Sequence, residues 1–172
     1  MTPTGHRRLI LTRHAKSSWD DPLIEDQDRP LNARGRLAAT ELGDFLASRG
    51  LEPEEVICSS ALRTRETWER VAGAVIETRP ELRYSDKLYH ASPETLLEVL
   101  KTAHAPTVMI LGHNPGIAEF ARQLPAREIL DPNFRRFPTG ATLIVDFQIE
   151  DWADLELGQG SMLDFFTPTR PS

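Results

Sequence analysis

The feature that most constrains this chain is a pattern that occurs three times: a short apolar run breaks into cationic, hydroxyl or histidine residues, and helical periodicity follows. Residues 9–11 lead into Thr12-Arg13-His14, residues 56–58 into Ser59-Ser60 with Arg63 close behind, and residues 107–111 into Gly112-His113-Asn114-Pro115-Gly116. Apolar runs this short, bounded in this way, read as buried strands. Behind a cap at Asn32, Leu37, Ala38, Leu42, Phe45 and Leu46 follow the helical period up to a stop at Gly50. Further helices are expected over residues 62–72, from Ser92-Pro93 through Leu96, Leu97, Val99 and Leu100 to a stop by Pro106, and over 117–124. Residues 141–147 and 161–166 read as closing strands. Strands alternating with helices predict a three-layer α/β/α architecture around a mostly parallel sheet.

Ligands of open α/β sheets bind at the carboxyl ends of the strands. The three expected strand ends carry Arg13 and His14, then Ser59, Ser60 and Arg63, then His113 and Asn114, and the fold can bring these distant residues together. At 172 residues the chain fits one domain, residues 1–172, with flexible ends near 1–6 and 168–172. The net charge of −6 opposes binding to nucleic acid and to anionic membranes, so neither is expected as a partner, and an anionic ligand needs a local cationic pocket. No apolar run is long enough to span a bilayer and Met1 to Arg8 has no apolar segment behind it, which makes the expected location cytoplasmic. Cys58 is the single cysteine, so no internal disulfide can form. The five histidines, at 6, 14, 90, 104 and 113, lack the spacing of a local metal site, and no metal or other cofactor is expected. Trp152, Phe165 and Phe166 are expected in the core.

Two arginines and two histidines at one sheet edge suit a phosphate, because guanidinium groups bind its oxygens bidentately and helix N-termini add backbone donors. A neutral imidazole is also a nucleophile. Attack on phosphorus gives a phosphohistidine that water then hydrolyses, so one hard displacement becomes two easier ones. Spacing alone defines an anion site.

Four ordered motifs carry it further: Arg13-His14-Ala15-Lys16-Ser17, then Arg29-Pro30-Leu31 with Arg34-Gly35, then Ser59-Ser60-Ala61-Leu62-Arg63-Thr64-Arg65-Glu66-Thr67, then Gly112-His113-Asn114-Pro115. Together they resemble the histidine phosphatase superfamily, whose fold is phosphoglycerate-mutase-like, and within it the SixA-type phosphohistidine phosphatases. The resemblance runs from about residue 8 to 147. It implies His14 as nucleophile and Arg13, Arg63 and His113 as the phosphate pocket. Arg29 has two equal readings, a place in that pocket or a surface arginine held by Asp26 or Asp28. Arg65 is expected to point elsewhere, into an exposed ion pair, and Asn114 to orient the His113 loop, while Lys16 and Ser17 have two equal readings, contact with substrate or a solvated loop.

Many members of the superfamily carry a glutamate or aspartate in the segment matching residues 86–92, as the acid that protonates the leaving oxygen. Here that segment offers Asp86 and His90 as possible general acids, neither of them in a motif that fixes its role. An alkoxide leaving group gains roughly 10²–10⁴-fold from a positioned acid. A phosphorylated imidazole needs less help, since its free ring nitrogen takes a proton near neutral pH. The expected activity is therefore that of a phosphatase acting on protein phosphohistidine. The alternatives are a small-molecule phosphomonoesterase, a phosphoglycerate mutase and, from another class, a non-catalytic phosphate- or phosphoprotein-binding module. A cysteine phosphatase is out of register, because position 64 is threonine and the arginines stand at 63 and 65.

Overall fold

A computed structural model describes residues 5–169. The elements run β1 (Arg7–Arg13), α1 (Ala33–Ser48), β2 (Glu55–Ser59), α2 (Leu62–Ala72), β3 (Glu81–Ser85), α3 (Pro93–Leu100), β4 (Thr107–Gly112), α4 (Gly116–Gln123), β5 (Thr142–Phe147) and β6 (Ser161–Phe166). Single 3₁₀ turns stand at Asp26–Asp28, Asp86–Leu88 and Trp152–Asp154.

All six strands join one sheet in the order β3-β2-β4-β1-β5-β6. The first four of these are parallel, and β5 turns antiparallel against β1, with β6 antiparallel to β5. Each central strand buries both faces, and its side chains alternate between two cores. Leu9, Leu11, Ile57, Val108 and Ile110 face Leu96, Leu100, Ile117 and Phe120 of α3 and α4. Ile10, Val56, Cys58, Met109 and Leu111 face Leu42 and Leu46 of α1 and Trp68 and Val71 of α2. The expected three-layer α/β/α arrangement follows from this period of two.

Local chemistry sets the helix starts. The Asn32 side chain accepts from Gly35 N–H at 2.8 Å and caps α1, while Ser92 accepts from Thr95 N–H at 3.2 Å with Pro93 in the first turn of α3. Of the residues that follow the helical period in α1, Leu42 and Leu46 are buried, whereas Leu37 is 73% exposed. Strand β3 has no counterpart in the sequence reading, since four of its five residues are exposed on the sheet edge and show no apolar alternation. Trp152 and Phe166 are buried, and Phe165 packs against the core. Residues 1–4 and 170–172 of the expected flexible ends lie outside the described residues, whereas His6 pairs with Asp146 at 3.2 Å and Thr169 with Glu41 at 3.2 Å.

Candidate active site

Strand register places the two central histidines side by side. Arg13 pairs with Gly112 across β1 and β4, so His14 and His113 each follow the last residue of neighbouring parallel strands. Their ring centroids lie 5.3 Å apart. The His14 backbone is fixed from both sides: its N–H donates to the Gly112 carbonyl at 3.1 Å, and its carbonyl accepts from Gly140 N–H at 2.9 Å. Thr67 of α2 adds a third anchor, its hydroxyl oxygen accepting from Ala15 N–H at 3.0 Å.

His14 Nδ1 lies 2.7 Å from the Ala15 carbonyl, which can only accept, so Nδ1 carries the proton and Nε2 the lone pair. Burial, opposed by that backbone bond, and the charges of Arg13, Arg63 and Arg29 push the His14 pKa down to about 3. The ring is therefore neutral throughout the physiological range. Burial lowers His113 further, to about 2, with His14, Arg63 and His90 acting in the same direction. His113 Nε2 meets Ser59 Oγ at 2.7 Å, and the same Oγ accepts from Ala61 N–H at 3.4 Å. His113 Nδ1 is a buried atom with no protein partner.

Three guanidinium groups surround these rings. Arg63, in the first turn of α2, is 2% exposed, Arg29 is 7% exposed, and Arg13 lies partly buried with one N–H on the Phe137 carbonyl at 3.2 Å. The Nε atoms of all three are buried and make no hydrogen bond to protein. A pocket of about 360 Å³ is lined by these arginines, His14, His113, His90, Asn114, Lys16, Ser17, Trp19, Asp26 and Thr139. A larger cleft of about 630 Å³, lined by His6, Asp146, Asp154 and Glu156 among others, offers no lysine or arginine to an anion.

Arg29 satisfies both of its readings at once. It lines the pocket, donates to Ser17 Oγ, stacks over Trp19 with Cζ 3.7 Å from the ring centroid, and pairs with Asp26 at 3.0 Å. The two possible acids part company. His90 reaches the pocket wall at a backbone φ of +50°, with Nε2 3.2 Å from Asp26 Oδ2, whereas Asp86 is outside the lining and accepts from the Ser60 hydroxyl. Arg65 forms no ion pair among the described residues; its Nε donates to the Ser60 carbonyl at 3.1 Å. Asn114 ties down its loop by donating to the carbonyls of Arg136 and Phe137 at 3.0 and 3.1 Å and accepting from Ala118 N–H at 3.2 Å. Cys58 is fully buried in β2 and its thiol is pushed well above the usual range by burial, so it is no nucleophile.

Asp26 is the residue the sequence reading missed. Its Oδ1 accepts from Arg29; its Oδ2 accepts from Arg63 Nη2 at 3.0 Å, from the Tyr89 hydroxyl and from His90; and its backbone carbonyl accepts from Arg63 Nη1 at 2.6 Å. Burial alone would raise its pKa, but the hydrogen bonds from Tyr89, Arg29, His90 and Arg63 outweigh it and hold the carboxyl well below the usual range. The signal in the sequence is faint: an aspartate three positions before Arg29, in a segment with no periodicity.

The chain belongs to the histidine phosphatase superfamily, whose branch 1 model matches residues 9–86. An uncharacterised protein of Mycobacterium tuberculosis is 31% identical over 163 residues, covering 91% of this chain and 99% of that protein. An uncharacterised chloroplast protein of Arabidopsis thaliana is 35% identical over 133 residues, and the match spans 61% of its length. A solved structure from Nakamurella multipartitia, described as a candidate SixA phosphohistidine phosphatase, is 30% identical with a TM-score of 0.81, covering 98% of this chain and all of that one. A SixA protein histidine phosphatase complexed with tungstate shares the fold at a TM-score of 0.74 and 20% identity, over 94% of this chain and 97% of its own. The fold is thus phosphoglycerate-mutase-like.

Proposed function

We propose that this protein is a metal-independent phosphatase that acts in the cytoplasm on phosphohistidine carried by another protein. The observation that carries the proposal is the donor set of the pocket. Three arginines, Arg13, Arg29 and Arg63, line it together with His113 and one neutral histidine, His14. Guanidinium groups bind the oxygens of a tetrahedral oxyanion bidentately, and a neutral imidazole beside them is free to act as the nucleophile.

In this reading His14 Nε2 attacks phosphorus while Nδ1–H stays on the Ala15 carbonyl, which stabilises the ring as it gains positive character. Arg13, Arg63 and His113 bind the equatorial oxygens, and Arg29 contributes at the mouth. The P–N bond to the substrate imidazole breaks with its electron pair moving to nitrogen. Water then attacks the phosphorylated His14, the P–N bond returns its pair to the ring, and inorganic phosphate leaves with the water's oxygen.

The substrate class rests on two further facts. The pocket opens to solvent beside Trp19, which is 76% exposed, so a side chain on another protein can reach it. No lining carboxyl is set up as an acid: Asp26 is held ionised, and Asp86 lies elsewhere. The N. multipartitia structure, named for phosphohistidine hydrolysis, supports the same class. A panel of a phosphohistidine-bearing protein, phosphoserine and phosphothreonine peptides and 3-phosphoglycerate tests the reading. It predicts turnover of the phosphohistidine protein by wild type and none by His14→Ala. Fast turnover of the monoesters with none of the phosphohistidine protein would overturn it.

A further inference from the structure

An ionised carboxylate inside a phosphate pocket opposes the binding of every phosphorylated ligand, yet this pocket is built around one. Asp26 is the single carboxylate among the lining residues. Its orientation is locked by Arg29, Arg63, Tyr89 and His90, the charged and titratable groups that face it. It remains 41% exposed, and with Trp19 and the 51% exposed His90 it marks the mouth. Oδ1 takes a single bond, from Arg29, while Oδ2 takes three.

We infer that Asp26 selects the leaving group: its carboxylate accepts a hydrogen bond from the remote ring N–H of a phosphorylated imidazole. The inference rests on the function proposed above and deepens it. In-line attack by His14 directs the leaving atom away from that residue, and Asp26 lines the same pocket with a side chain 41% exposed. A protonated phosphoimidazole carries a positive charge and an N–H one ring-width from the scissile bond, and these alone repay the repulsion between Asp26 and the phosphoryl oxygens. The bridging oxygen of an alkyl or phenyl phosphate carries neither. The proton balance is also met. The remote nitrogen arrives protonated, the P–N bond breaks toward the near nitrogen, and neutral imidazole departs with no proton taken from the protein.

Asp26 also holds two arginines, so its loss lowers catalysis on every substrate; the informative quantity is a ratio. The test measures kcat/KM for phosphoimidazole and for phenyl phosphate with wild type and Asp26→Asn, and with Asp26→Ser should the first variant fail to fold. The expected result is a wild-type preference for phosphoimidazole that falls at least tenfold in either variant. Equal losses on both substrates would overturn the inference, leaving Asp26 as a positioning residue for Arg29 and Arg63 while the proposed function stands. A wild-type enzyme that hydrolyses phenyl phosphate but not phosphoimidazole would overturn both.

Discussion

His14 and His113 stand uncharged among three guanidinium groups, and that state has a thermodynamic cost. Folding lowers their pKa values to about 3 and about 2, from the ordinary value near 6.5, so the unfolded chain binds more protons at acid pH. The stability each contributes is present above about pH 6.5 and is lost as pH falls below it. Between pH 7 and pH 5 each ring should cost about 2 kcal/mol, at 1.36 kcal/mol per pH unit below the unfolded value. Urea unfolding at the two pH values checks this. His14→Asn should flatten the dependence by roughly that amount, and parallel curves for wild type and variant would refute it. Arg13, His14, Arg63 and His113 were legible in the sequence because each sits at or just after a strand end marked by an apolar run. Asp26 and Tyr89 were not, because short 3₁₀ and loop segments leave no periodic trace and their importance lies in contacts with distant residues. Arg29 was ambiguous for a physical reason: the aspartate that would make it a surface pair is itself in the pocket.

At the scale of elements, two helices begin against loops of the site with no room for a side chain. A Cβ on Gly116, in the first turn of α4, would lie 1.8 Å from the Ala91 carbonyl oxygen, next to His90. One on Gly35, in the first turn of α1, would lie 2.0 Å from the carbonyl oxygen of Lys16, two residues beyond His14. These close approaches give the Arg34-Gly35 and Gly112-His113-Asn114-Pro115-Gly116 sequences around them a structural reason. Gly116→Ala must push α4 from the 89–91 segment, so it should cost about 1–3 kcal/mol of stability and lower kcat more than tenfold. Thermal unfolding and steady-state kinetics check both, and an unperturbed kcat would contradict the account. Helix boundaries were readable where caps are chemical, at Asn32 and at Ser92-Pro93. Strand β3 and the exposure of Leu37 were not, because an edge strand and a partner-dependent helix face are decided by what packs against them.

Over the whole molecule, the sheet order β3-β2-β4-β1-β5-β6 puts β2, β4 and β1 side by side with their carboxyl ends together. That adjacency gathers three short motifs, spread from residue 13 to 113, into one cationic pocket on a chain of net charge −6. The repeated strand-to-helix pattern was enough to predict the layers and the edge where the site lies, but not the strand order, which depends on contacts between segments far apart in sequence. The central claim is that His14 carries the phosphoryl group, and trapping that species tests it most directly. Wild type is mixed with a phosphohistidine-bearing protein, quenched in alkali within milliseconds to seconds, and analysed by intact mass and peptide mapping. The account predicts one alkali-stable, acid-labile phosphoryl group on His14, absent from His14→Ala. Phosphate released at full rate by His14→Ala, or a label on any other residue, would contradict it.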